Sequence, residues 1–403
     1  MYIQQNFMMK VAFIHTDLRI YWPARLKALS KFLHNKKIEL DVVEISGAGS
    51  PYAFAGKAEH EGLSWHILFP EQRMEEIKNS DIKRRLYDLL NKIKPDILIS
   101  GAIAFPSGAL SVAWAYNHKK PVICFDDAKI DAVQRSGIVN RIKQYIYNGV
   151  SAMLYPSEDW NATGDFWGFS KEQIFYGIDV VDNSFWQDYN QNACTIQPYF
   201  LAVGRQIPKK NFLHIVKSYH NYYKRFGAAS IPLIVVGDGP EHPDIEDYIK
   251  YHNLTSSVTL EPFKTQNELR DIYHHASCLI LSSSSETWGL VINEAMACGT
   301  PVIASDQCGA THTLIKNGYN GFSFILSKQD ALYERMCEYH ELPQSVKDTM
   351  RQNAVNTMNN WGLPLFCQNC YEAILYVSLL NPKRLSFINS LIINIWKGRY
   401  RPI

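Results

Sequence analysis

Short apolar runs rich in β-branched residues alternate with longer segments of helical character along the whole chain, and this most constrains its fold. In the first half the runs are VAFIH (11–15), LDVVEI (40–45), SWHILF (64–69), DILIS (96–100), PVICF (121–125) and SAMLYP (151–156). In the second they are YFLAVG (199–204), PLIVVG (232–237), SVTL (257–260), CLILS (278–282), PVIA (301–304) and GFSF (321–324). Amphipathic stretches such as 24–35, 82–93, 210–226 and 266–276 fall between them. Continuous apolar strands joined by helices predict parallel sheets covered on both faces, and two such series predict two doubly wound domains. The polar, aperiodic segment 183–198 reads as their linker, giving domains at 1–185 and 186–370 and a helical tail at 371–403 that packs back on the first domain. In such folds ligands bind at the carboxyl ends of strands, so a cleft between two facing domains is the expected place for a small molecule.

Composition excludes some classes of partner. With 46% hydrophobic and 20% charged residues the 403-residue chain is an ordinary globular protein, and a net charge of +2 gives no global reason to bind nucleic acid. Of the eight cysteines only Cys367 and Cys370 form a CxxC, which does not complete a zinc site. The N-terminus lacks a signal-peptide pattern and no apolar run reaches membrane-spanning length, so the expected location is the cytoplasm. Charge is uneven, however. No acidic residue follows Glu372, whereas Lys383, Arg384, Lys397, Arg399 and Arg401 do. The tail has apolar residues at helical spacing between basic ends. It is expected either to pack on the first domain or to lie on an anionic membrane surface, peripherally on the inner face.

The densest chemistry is in SSSSETWGLVINEAMACGTPVIAS, residues 282–305. CLILS predicts a strand, the serines a loop, and Trp288 to Cys298 a helix capped by Thr287. The first amides of that helix, on Gly289, Leu290 and Val291, together with the helix dipole, would suit a phosphate, and Gly289 permits close approach. Glu286 precedes the helix and Glu294 lies one turn beyond Leu290. Read singly, they are a helix-dipole partner and a solvated helix position. Beside a bound phosphate they are two acceptors for hydroxyl protons, one for a sugar and one for a ribose. Upstream, Arg205 and Lys210 in GRQIPKKN follow another strand without an acidic neighbour in sequence, as a diphosphate would require. VVGDGP (235–240) adds a glycine-rich turn at the same edge.

GRQIPKKN, VVGDGP and SSSETWGLVINEAMACGTPVIAS, in this order, resemble the C-terminal domain of a family-4 retaining glycosyltransferase, whose E-x7-E signature is met by Glu286 and Glu294. The resemblance implies the GT-B fold, two facing Rossmann-like domains. It implies transfer of a hexosyl group from a nucleoside-diphosphate sugar to a glycan or lipid-linked glycan acceptor in surface-polysaccharide assembly, with retained configuration and no metal or other cofactor; no Asp-x-Asp triplet occurs. Glu286 would then bind donor-sugar hydroxyls and Glu294 the ribose. Arg205, Lys210 and the amides of Gly289, Leu290 and Val291 would bind the diphosphate.

The chain departs from the family pattern in three places. The loop after the first strand, HTDLRIYWPARL (15–26), has no glycine, leaving Asp17 and Arg19 as side-chain candidates on the acceptor side. After PVICF the chain reads FDDAKIDAVQR, making Asp126 or Asp127 the polar group expected to face the acceptor. The family's Gly-Gly-x-x-Glu turn is replaced by Cys308 to His312, with His312 in the acid's place. Two other functions stay open at this point: a catalytically silent nucleotide-sugar-binding partner, and an epimerase or phosphorylase on the same fold.

Overall fold

In the computed structural model the apolar runs become strands of two separate sheets. The structure describes residues 8–48, 60, 62–132, 135–189 and 197–399. Most of the first ten residues, Cys194 and the middle of the predicted linker, and Arg401 in the tail lie outside the described residues.

The first sheet comprises β1 (Met9–His15), β2 (Ile38–Ser46), β3 (Ser64–Phe69), β4 (Ile97–Ser100), β5 (Val122–Phe125), β6 (Ala152–Leu154) and β7 (Ile174–Phe175). Its order is β3-β2-β1-β4-β5-β6-β7, and every pairing is parallel. The second sheet comprises β8 (Tyr199–Val203), β9 (Leu233–Val236), β10 (Val258–Glu261), β11 (Ala276–Leu281), β12 (Val302–Ser305) and β13 (Gly321–Phe324). It runs β10-β9-β8-β11-β12-β13, again all parallel. Both orders reverse direction once, between β1 and β4 and between β8 and β11. At such a reversal the loops leaving two neighbouring strands diverge to opposite faces and open a crevice at their carboxyl ends.

Each expected run appears as a strand. β7 was not expected, because two residues are too few to show a pattern. The chain divides into two compact units, one of Met1–Val180 with Leu363–Ile403 and the other of Val181–Gly362. In the second, every residue of β8 is buried, and the helix Phe212–Phe226 turns Ile215, Val216, Tyr219 and Tyr222 into the same core. In the first, the helix Leu363–Ser378 buries Phe366, Cys367, Cys370, Ala373, Ile374 and Val377, and packs on the helix Trp22–His34 and on β5, β6 and β7. Among the described residues, no helix is long and apolar enough to cross a membrane.

Two local expectations are corrected. The helix predicted from Trp288 begins at Leu290 and ends at Ala297. Gly289, with φ 101°, takes the N-cap position that Thr287 was expected to hold. A positive φ there stops the helix from starting earlier, and glycine adopts it at least cost. Lys210 lies just before its helix rather than at its start. Pro208–Lys210 form a short 3-10 turn, Asn211 is left-handed (φ 58°), and the helix begins at Phe212.

Candidate functional site

The two loops that leave β8 and β11 meet at the reversal point of the second sheet. The backbone N–H and the hydroxyl of Ser284 both donate to the carbonyl of Lys209, at 2.8 and 3.3 Å. Above this seam the Lys210 ammonium donates to the Glu286 carboxylate, and the side chains are each only 16% exposed. Ser283 Oγ donates to the same Glu286 oxygen at 3.4 Å. Lys210, without an acid near it in sequence, thus has one in space.

A third strand end locks Glu286 in position. Its backbone forms an isolated parallel bridge with Cys308, the Glu286 N–H donating to Gln307 O at 3.2 Å and Gly309 N–H to Glu286 O at 3.1 Å. Ala310 N–H donates to Trp288 O at 2.9 Å, while the Trp288 indole is buried, stacks on Trp361 with ring centroids 5.8 Å apart, and donates to Asn293 Oδ1 at 2.8 Å. These contacts fix the chain just ahead of the helix Leu290–Ala297. Among the described residues no side chain caps that helix. Ile292 N–H is taken by Gly289 O at 2.9 Å, so the amides of Leu290 and Val291 head its N-terminus, where the dipole favours an anion.

Glu294 projects from the same helix but is 2% exposed, so the solvated-face reading fails. Its Oε2 accepts the hydroxyl of buried Tyr273 at 2.8 Å, and Trp186 packs edge-on against Tyr273. A carboxylate this deep needs polar partners, and Tyr273 is one.

Arg205 follows β8 directly after Gly204 and is half-buried. Its neighbour Gln206, which the sequence reading passed over, joins two loops. Fully buried, it donates from Nε2 to Gly237 O at 2.9 Å, and its Oε1 lies 2.8 Å from His242 Nδ1. The glycines of VVGDGP serve this junction. A Cβ on Gly237 would meet Gly204 O at 2.0 Å, and one on Gly239 would meet Gln206 O at 2.5 Å. The serines after β11 are also structural supports: Ser282 Oγ lies 2.6 Å from His214 Nδ1, and Ser305 Oγ donates to Ser283 O at 2.6 Å. His312 is exposed, with Nε2 3.1 Å from Asp306 O.

The remaining candidates belong to the first unit. Asp17 and Arg19, in the loop after β1, bind each other in fork geometry, Nε to Oδ1 and Nη2 to Oδ2 at 2.9 Å each. Asp126 and Asp127 follow β5. Asp126 Oδ1 accepts Ala128 N–H at 3.0 Å, and burial, reinforced by the charge of Asp127, pushes the Asp126 carboxyl up to about 6. Asp127 is exposed, and its carbonyl accepts the Trp160 indole at 3.0 Å. Near them the buried Arg25 donates to Val180 O at 2.9 and 2.7 Å and lies 3.8 Å from Asp179, whose carboxyl is raised by burial first and by Asp127 second. Asp179 sits in the segment GIDVVDNSFW (177–186), and only the fold reveals its neighbours. His15 ends β1 between the rings of Trp22 and Phe125, and burial lowers it to about 4, leaving it neutral at pH 7.

Residues 188–357 match the family model described as Glycosyl transferases group 1, and the match lies wholly inside the second unit. The alpha-monoglucosyldiacylglycerol synthase of Acholeplasma laidlawii is 23% identical over 188 residues, 46% of this chain and 45% of that protein. The amylovoran biosynthesis glycosyltransferase AmsD of Erwinia amylovora is 23% identical over 72% of this chain and 79% of its own length. The chain spans under half the length of the first curated relatives it matches. Among solved structures, Anabaena Alr3699/HepE in complex with UDP superposes with a TM-score of 0.70 at 14% identity, covering 91% of this chain and 100% of that one. The chain therefore has the two-sheet fold of the GT-B glycosyltransferases, and the similarity to the group 1 family model is confined to residues 188–357 of its second unit.

Proposed function

We propose that this protein is a retaining, metal-independent glycosyltransferase that moves a hexosyl group from a nucleoside-diphosphate sugar to a glycan or lipid-linked glycan, in surface-polysaccharide assembly. One observation carries this reading: the Lys210–Glu286 pair stands at the strand reversal beside the uncapped helix Leu290–Ala297. A diphosphate entering there takes the cations Lys210 and Arg205 and the amides of Gly289, Leu290 and Val291. Lys210 then leaves Glu286, whose carboxylate accepts from the hydroxyls of the donor sugar. Glu294, oriented by Tyr273, accepts from the ribose hydroxyls.

As the glycosidic bond breaks, negative charge grows on the leaving phosphate, and the fixed cations and helix dipole stabilise it without a metal. The same phosphate takes the proton of the attacking hydroxyl on the same face, which retains configuration and needs no protein base. Asp126 and Asp127, with Asp17 and Arg19, are assigned to the acceptor side. Two names support the choice of substrates. The Erwinia amylovora relative is named for amylovoran biosynthesis, and the Anabaena structure is a complex with UDP.

The test is a panel of UDP, GDP, ADP, CDP and dTDP sugars incubated with a cell-envelope acceptor extract, with and without a chelator. Transfer from one donor class, insensitive to chelation and giving a product whose anomeric signal matches the donor, is expected. Conversion of the nucleotide sugar with no acceptor present would overturn the proposal in favour of an epimerase. Binding without turnover would reduce the protein to a nucleotide-sugar-binding partner.

A further inference from the structure

The last described helix, Phe387–Ile395, is built inside out. Its buried face carries Asn389, 6% exposed, beside Ile393, and the Asn389 side chain donates to Tyr145 O at 3.0 Å. Asn394 accepts from Asn117 Nδ2 at 2.7 Å. The face turned to solvent is apolar: Phe387 is 81% exposed, Ile388 54%, Leu391 48% and Ile395 64%. At 3.6 residues per turn these four fall within an arc of roughly 100°, the width of a full apolar stripe. A helix that packs only for stability turns such a stripe inward. Here Asn389, on the opposite face, holds it outward.

The surroundings say what covers the stripe. The helix packs on Pro106–Asn117 and on Gly137–Tyr147. None of the three helices contains an aspartate or glutamate. Exposed cations flank them instead: Arg384, Lys397 and Arg399 around the last helix, Lys119 after the first of its supports and Arg141 within the second. The second support also opens on Ile138, 76% exposed. An apolar stripe rimmed by positive charge and free of negative charge matches the boundary between acyl chains and anionic headgroups.

We propose that the Phe387–Ile395 helix is a membrane-surface anchor, which inserts Phe387, Ile388, Leu391 and Ile395 into the headgroup–acyl boundary of an anionic bilayer while Arg384, Lys397 and Arg399 contact the headgroups. The proposal is independent of the assigned enzymatic activity.

Cosedimentation of the full chain with vesicles tests it, using phosphatidylcholine alone and phosphatidylcholine with about one third phosphatidylglycerol. The wild type should partition onto the anionic vesicles and not the neutral ones. The double variant Phe387→Glu/Leu391→Glu should partition at least about tenfold less, with an unchanged melting temperature because both side chains are solvent-exposed. Lys397→Glu/Arg399→Glu should weaken binding in the same direction. Failure to bind either vesicle would overturn the proposal, and so would equal binding to both. A wild-type dimer that the Phe387→Glu/Leu391→Glu variant converts to a monomer, without vesicle binding, would assign the stripe to a second copy of the chain instead.

Discussion

Lys210 and Glu286, 76 positions apart in the chain, are joined as an ion pair where the loops after β8 and β11 meet. Each is the other's counter-ion, so a ligand with its own negative charge competes directly with Glu286 for the ammonium.

That competition separates the effects of two substitutions. If Lys210 binds the diphosphate, Lys210→Ala should lower UDP affinity by about 10- to 100-fold. Glu286→Gln frees Lys210 from its carboxylate, so UDP should bind as tightly as to wild type or more tightly, while sugar transfer falls by at least about 100-fold. Calorimetric titration with UDP beside a turnover assay reads both. Parallel losses of affinity in the two variants would mean that the pair only holds the loops together.

Tyr273 should act through Glu294. Tyr273→Phe removes the hydroxyl donated to Oε2, at a stability cost of about 1–3 kcal/mol. If Glu294 holds the ribose, the variant should lose affinity for UDP but keep its affinity for pyrophosphate, which has no ribose. Equal losses for both ligands would assign Tyr273 to packing alone.

Motif spacing made the positions of the candidates Arg205, Lys210, Glu286 and Gly289 in the loops after β8 and β11 legible, because order in sequence beyond a strand end is also order in space. Their connections were not. Glu286 as the partner of Lys210, Gln206 as the link between two loops and Tyr273 beneath Glu294 all depend on which strands are neighbours, and no local pattern encodes that. The start of the helix at Leu290 was missed because Thr287 is a good capping residue by type, whereas the positive φ of Gly289 is a property of the docked loop. The tail's amphipathicity was legible, but the direction it faces was not.

Below neutral pH, His15 should make the protein less stable. Burial holds it near 4, against 6.5 for an accessible imidazole, so between these values the unfolded chain binds more protons than the folded one. Stability therefore rises with pH through that window and is lost as pH falls from 6.5 to 4, by up to about 3 kcal/mol. Urea unfolding of wild type and His15→Gln should show their difference in stability shrinking from pH 7 to pH 4. A constant difference would mean that His15 is not held neutral.

Gly237→Ala should be among the most damaging single-methyl changes in the molecule. Its new Cβ would lie 2.0 Å from Gly204 O at a residue whose φ is 129°, so the two loops must separate, costing roughly 2–4 kcal/mol. A chemical-denaturation midpoint equal to that of wild type would show that the junction tolerates the shift.

The division of the chain into units has a consequence for synthesis. The second unit, Val181–Gly362, is one uninterrupted segment, whereas the first needs Leu363–Ile403 in addition to the residues made before it. Chains emerge from the ribosome N-terminus first and units fold as they are completed. The order is inverted here, because the sheet made first waits for the helix Leu363–Ser378 while the unit made second already has all its strands. Until that helix arrives, the face of the first sheet it covers is open to solvent, and the nascent chain is most prone to aggregate in the interval before Leu363–Ser378 is made.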